Sequence, residues 1–157
     1  MIREITPKDN AQIAVIIRET LIEFDMNKAG TAFSDPAVES IHKAYSGNDS
    51  VYFVVEEDGK ILGGAGISQL DNFEEKVCEL QKMYFSPLTR GRGIGTLMIE
   101  ECLKAAKDLG YLQCYLETIP EMKAAQKLSK KQGFNYLDKP MGDTGHHACP
   151  VWMLKTL

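Results

Sequence analysis

Six consecutive residues, Arg90-Gly91-Arg92-Gly93-Ile94-Gly95, combine what a bound anion requires. They follow a β-rich run and open a long amphipathic pattern, so successive backbone N–H groups can converge where a helix dipole is positive. Gly91, Gly93 and Gly95 permit positive φ and let a phosphate reach the backbone without an intervening Cβ, while Arg90 and Arg92 add charge. The segment has no lysine before Ser/Thr, as a nucleoside triphosphatase loop would. It also lacks the third glycine of a dinucleotide fingerprint, since position 96 is threonine. An isolated Gly-x-Gly would be read as a turn. The two arginines, the preceding strand, the following helix and a later helix ending at Gly133-Phe134 make a combination that turn chemistry alone would not require, and point instead to an anion site.

The elements that must position this site follow from periodicity. Ile13, Ile16, Ile17, Leu21 and Phe24 recur at helical spacing within Pro7–Phe24, and Pro36 suits the start of a second helix through about Tyr45. Runs at 51–55, 61–70 and 76–85 read as three antiparallel strands, the first two joined at Asp58-Gly59 and the third stopped at Ser86-Pro87. After the glycines, Ile94, Leu97, Met98, Cys102, Ala105, Ala106 and Leu109 mark the buried face of a helix closed by Gly110. Leu112–Thr118 is a strand, Glu121–Gln132 a helix, and Phe134–Leu137 and Val151–Thr156 two further strands. This order predicts one α/β domain over residues 1–157, with a mixed, mostly antiparallel sheet of six to seven strands flanked by about four helices.

The bulk composition is that of a folded domain: 157 residues, 44% hydrophobic and 25% charged. A net charge of −4 carries no basic patch for nucleic acid, no apolar run is long enough to span a membrane, and the charged amino terminus argues for a cytoplasmic protein. Cys78, Cys102, Cys114 and Cys149 lack metal-ligand or disulfide spacing and are expected to be reduced. His146, His147 and Cys149 form a weak metal signal, and no metal is expected. Trp152 and Met153 fit the core, whereas Tyr84 and Phe33 suit a pocket wall as well as packing.

With these residues in view, the chain resembles the GCN5-related N-acetyltransferase family. Arg90, Gly93 and Gly95 match that family's pyrophosphate motif of Arg or Gln, two residues, Gly, one residue, Gly or Ala. The similarity runs through ELQKMYFSPLTRGRGIG at 79–95 and the helix ending LSKKQGF at 128–134. It implies acetyl-coenzyme A as co-substrate and an amine of a small molecule or peptide as acceptor. By the same resemblance the diphosphate would rest on the amides of Arg90, Gly91, Arg92, Gly93, Ile94, Gly95 and Thr96. The pantetheine arm would pair with backbone groups of Met83 and Phe85, the Met83 N–H polarising the thioester carbonyl.

Direct transfer also needs a base, because a free amine with pKa near ~10 is protonated at neutral pH. Glu79 stands where family members often carry a glutamate; it is either this base, directly or through water, or an ordinary polar residue of the open sheet face. His147, with His146, is an alternative base or an acceptor-recognition group. Ser129 replaces the tyrosine that protonates the leaving thiolate in the family, and a serine hydroxyl is a shorter and poorer acid. That departure supports a second reading, a coenzyme A binding or sensing module with weak or no catalysis. A third, nucleotide phosphate binding at the same loop, would show ATP competing with coenzyme A. The carboxy-terminal strand offers an edge for a homodimer.

Overall fold

The computed structural model describes residues 1–157. Strand β1 (Ile2–Glu4) passes through a 3-10 turn at Pro7–Asp9 into α1 (Asn10–Glu23). The buried Asp9 carboxylate fixes that junction: it accepts from the Thr6 N–H at 2.8 Å and from both terminal nitrogens of Arg3 at 2.8 and 3.1 Å. The second expected helix divides into a 3-10 stretch, Pro36–Ser40, and a short α2 (Ile41–Ala44). Ser40, at φ −143° and ψ 57°, leaves helical geometry between them.

Strands β2 (Val51–Glu57), β3 (Lys60–Gln69) and β4 (Val77–Phe85) form an antiparallel meander whose first hairpin turns on Asp58 and Gly59, both at positive φ. Then follow α3 (Ile94–Asp108), β5 (Gln113–Thr118), α4 (Lys123–Lys131), β6 (Asn135–Tyr136) and β7 (Val151–Thr156). The strands make one seven-stranded sheet in the order β1-β2-β3-β4-β5-β7-β6. The chain-terminal β7 is therefore not an edge. It lies between β5 and β6, and the two-residue β6 pairs with Leu154 and Met153 on the side that the sequence offered to a second copy.

The largest core lies between the sheet and α3, a second under α1 and α2, and a small third one joins Leu70, Val77 and Tyr115. On α3 the buried residues are Met98, Ile99, Cys102, Leu103 and Ala106. Leu97 and Leu109, expected on that face, are 56% and 38% exposed. The stripe centres on Met98, Cys102 and Ala106, and the positions flanking it at helical spacing are Ile99 and Leu103. Cys78, Cys102 and Cys114 are buried free thiols, and Cys149 is half-buried and free.

Two irregularities of β4 shape the site. Its parallel pairing with β5 is confined to Val77, Cys78 and Glu79 opposite Gln113, Cys114 and Tyr115, so the strands part beyond Glu79. Against β3, Gly64 pairs with Tyr84 but Gly66 pairs with Gln81, which leaves one extra residue in β4. Lys82, at φ +49°, takes up that extra residue. Strict alternation would place Glu79, Gln81, Met83 and Phe85 on one face. Instead Met83 and Phe85 pack on the α3 side, while Tyr84 packs with the core under α1 and Gln81 bonds Tyr45 of that core.

Candidate active site

The glycine loop presents a row of free donors. Gly91 and Gly93 both adopt φ +74°, and Gly93 is the N-cap of α3 without any side-chain cap. The N–H groups of Arg90 and Arg92 close local turns onto Pro87 and Thr89, whereas those of Gly91, Gly93, Ile94, Gly95 and Thr96 donate to no protein acceptor. Five amides at the positive end of a fifteen-residue helix form a strong anion cradle. A Cβ at Gly95 would stand 2.8 Å from Leu128 Cδ2, so this glycine also lets α4 close against the loop.

Both arginines are held in exposed ion pairs, Arg90 with Glu23 at 2.6 Å and Arg92 with Glu57. Exposed pairs of this kind are weak and screened by solvent, so either arginine leaves its carboxylate at little cost. From the loop an open groove of about 650 Å³ runs between Met83, Tyr84 and Phe85 on one wall and Met122, Ala125 and Leu128 on the other. Ser86 donates to Leu62 on β3. By antiparallel alternation the N–H groups of Phe85 and Met83 turn the other way, toward the gap left by β5.

That groove meets a narrower cleft of about 80 Å³ between the parted strands, sharing Met83, Tyr84, Met122 and Ala125 with it. Lys82, Glu117, Ser129 and Cys149 line the narrow part. Glu117 and Cys149 also line a third hollow, bounded by Thr144, His146 and His147. Cleft and hollow thus lie on either side of Glu117.

Around Glu117 the titratable groups cluster. His146 Nδ1 lies 3.7 Å from Glu117 Oε1 and 4.0 Å from Glu79 Oε2, the two carboxylates being 6% and 2% exposed. Glu79 accepts from Gln81 Nε2 at 2.6 Å, and the Tyr45 hydroxyl fixes Gln81 in turn. Glu117 accepts from the Thr144 hydroxyl and from that of Tyr115 at 2.7 Å. Burial pushes the Glu79 carboxyl up to about 8, and the Glu117 charge adds to it while the Gln81 hydrogen bond opposes it. Burial and the nearby Lys82 charge hold the His146 imidazole below its usual pKa against the pull of Glu117. The donor atoms of Glu79, Glu117 and His146 lie within 4.8 Å of one another, which is the set of residues able to share a divalent cation. The metal signal read from His146, His147 and Cys149 therefore falls on a different trio.

Of the expected site residues, Glu79 and His146 come together, while His147 lines the neighbouring hollow without reaching either carboxylate. The His147 ring lies flat over Gly30, where a Cβ would meet its Nε2 at 2.5 Å, and it remains exposed. Ser129 reaches the cleft wall, but its hydroxyl donates to the Ala125 carbonyl one turn back at 2.9 Å. Tyr84 stands where groove and cleft join. Its hydroxyl has no protein partner and is not sealed from the cavity, and burial raises its pKa, so it keeps its proton. Glu117 escaped the sequence reading. Its one signal was a place at the carboxyl end of a strand that runs parallel to β4, where α/β sheets open their clefts.

Residues 18–134 match the model of the acetyltransferase (GNAT) family. The chain belongs to this family. The uncharacterized N-acetyltransferase YjgM of Escherichia coli (strain K12) is 37% identical over 158 residues, spanning 100% of this chain and 95% of that protein. A GNAT-family acetyltransferase from Staphylococcus aureus Mu50 superposes with a TM-score of 0.87 at 20% identity, covering 100% of this chain and 98% of the other. A phosphinothricin acetyltransferase from Sinorhizobium meliloti, solved with acetyl-CoA, gives a TM-score of 0.76 at 24% identity, with coverage of 100% and 88%. This GNAT chain is accordingly an acyltransferase, and no helix in it is long and apolar enough to cross a membrane.

Proposed function

We propose that the protein transfers the acetyl group of acetyl-CoA directly to the amine of a small molecule or peptide. The observation that carries this reading is the continuity of the groove: five free loop amides at one end, a buried acidic pocket at the other, and parted strands between them. Acetyl-CoA in the Sinorhizobium structure supports the same co-substrate here.

In this reading the diphosphate rests on the amides of Gly91, Gly93, Ile94, Gly95 and Thr96, with Arg90 and Arg92 leaving their surface carboxylates to join it. The pantetheine lies along β4 as an added strand on the Met83 and Phe85 backbone, and the Met83 N–H receives the charge that develops on the thioester oxygen. His146, neutral at physiological pH, takes the amine proton by way of Glu117, whose carboxylate stabilises the imidazolium that forms, while Glu79, holding its proton below about 8, adds its charge only above that pH. The lone pair thus freed attacks the acetyl carbon, the C–S bond breaks, and the departing thiolate takes a proton from solvent while the Tyr84 hydroxyl, which keeps its own proton, donates a hydrogen bond to it. Ser129 is spent on the Ala125 carbonyl and is not that donor. No step calls for a metal.

The test is thiol release from acetyl-CoA with purified protein and an amine panel, beside calorimetric titration of acetyl-CoA. Amine-dependent release supports transfer. Tight binding without release from any amine would favour the coenzyme A sensing module, a reading motivated by the loss of a tyrosine at Ser129.

A further inference from the structure

The acceptor pocket holds a cation that neither the cofactor nor the acid–base chemistry uses. Lys82 occupies the bulge of β4 in a left-handed conformation that is costly for a lysine, and it is one of the residues lining the cleft. The side chain is 6% exposed, and its Nζ lies 3.0 Å from Asp35 Oδ2, its one ion-pair partner. Asp35 Oδ1 is already taken by the Ala37 N–H. The Tyr45 ring, 5.9 Å from Nζ, covers another side. An ammonium has three donors, and a buried one left short of acceptors is costly unless a ligand completes it.

The surroundings narrow what that ligand is. Lys82 and Glu117 line the same narrow cleft, with Glu79 and His146 behind Glu117. The Lys82 charge acts on both Glu79 and His146, so the lysine and the acidic group share one small space. The phosphates of the cofactor belong to the loop beyond the end of β4, and the pantetheine arm is uncharged, so the cofactor brings no anion to Lys82. A simple amine or a polyamine would be served by carboxylates alone, and a fixed cation beside them repels it.

Resting on the transferase reading above, we propose that the acceptor is a small zwitterion of the α-amino acid type, its carboxylate bound by Lys82 and its amine directed at Glu117, which His146 backs. The narrow cleft of about 80 Å³ suits an amine and a carboxylate separated by one or two carbons. The Lys82–Asp35 pair then orients the carboxylate, and a decarboxylated analogue leaves the ammonium incompletely satisfied, the kind of loss that discriminates strongly between substrates.

The experiment measures kcat/KM by thiol release for matched pairs, each an α-amino acid and the amine made by removing its carboxylate. Wild type is expected to prefer the acids by about tenfold or more, the range for a charge-assisted contact. In Lys82→Met the acid-to-amine ratio should collapse toward one, and in Lys82→Arg it should largely survive. Calorimetric titration of an N-acetyl amino acid into CoA-saturated protein reads the same carboxylate contact without turnover, binding to wild type and weakening about tenfold in Lys82→Met. Decarboxylated amines used as well as the acids, or a Lys82→Met ratio equal to wild type, would overturn the zwitterion assignment and leave the transferase reading intact. Release from no amine at all, with acetyl-CoA still bound, would instead overturn the transferase reading. In that event, absence of N-acetyl amino acid binding would also sink the assignment of Lys82.

Discussion

The glycine loop and the acidic pocket lie along one groove, yet they are built in opposite ways. The loop is local: consecutive residues fix its turns, and its donors are backbone N–H groups that any sequence with glycines at those positions would present. The pocket is assembled from Glu79 on β4, Glu117 on β5 and His146 in the loop before β7, so each group is useful only through the others. A loop of this kind tolerates side-chain change but not backbone change. A pocket of this kind fails when one side chain is altered.

The largest effect is expected from Gly93→Glu. The position requires φ +74° and caps α3, so the variant strains the loop and sets a carboxylate beside the diphosphate amides. Acetyl-CoA binding by calorimetry should weaken beyond a hundredfold, with circular dichroism unchanged; retained affinity would contradict the cradle. In the pocket, His146→Ala should lower kcat by ~10²–10⁴ while leaving acetyl-CoA affinity near wild type, the range for loss of a general base. His147→Ala, on the exposed side of Gly30, should change kcat less than twofold. The reverse order would return the role to His147.

Glu79 supplies a subtler effect. Its carboxyl stands at about 8 in the folded protein against an ordinary 4.5, so the folded state holds a proton that the unfolded chain gives up. Stability should therefore fall as pH rises through that window and level off above it. Glu79→Gln removes the titration: it should raise Tm relative to wild type above pH 8, with the difference vanishing toward pH 4.5. If the ionised carboxylate supports the His146 imidazolium, kcat/KM of wild type should rise with an apparent midpoint near 8, and Glu79→Gln should flatten that limb. The smallest effect is the expected null. Incubation with a chelator should leave the rate unchanged, and a loss restored by a divalent ion would show that Glu79, Glu117 and His146 work around a metal.

The same contrast governs what the sequence made legible. Element order was readable because each helix and strand carries its own period, and the loop because its signal lies in six adjacent residues. The bulge at Lys82 was not, since lysine seldom adopts a left-handed conformation and nothing local requires it there. Without it, alternation puts Met83 beside Gln81 and hides the direction of Lys82 and Tyr84. His146 and His147 could not be told apart either, because the packing of His147 on Gly30 joins segments distant in sequence. Glu117 sat in an ordinary strand pattern, and only the parting of β4 from β5 makes its position a site.

Direct transfer is decided by stoichiometry. Purified protein, acetyl-CoA and an amino acid panel are incubated together, and free coenzyme A and N-acetylated product are quantified by mass spectrometry in the same samples. Direct transfer yields the two in equimolar amounts for at least one acceptor, with both lost in Gly93→Glu. Thiol accompanied only by acetate, or bound acetyl-CoA with neither product, would contradict it.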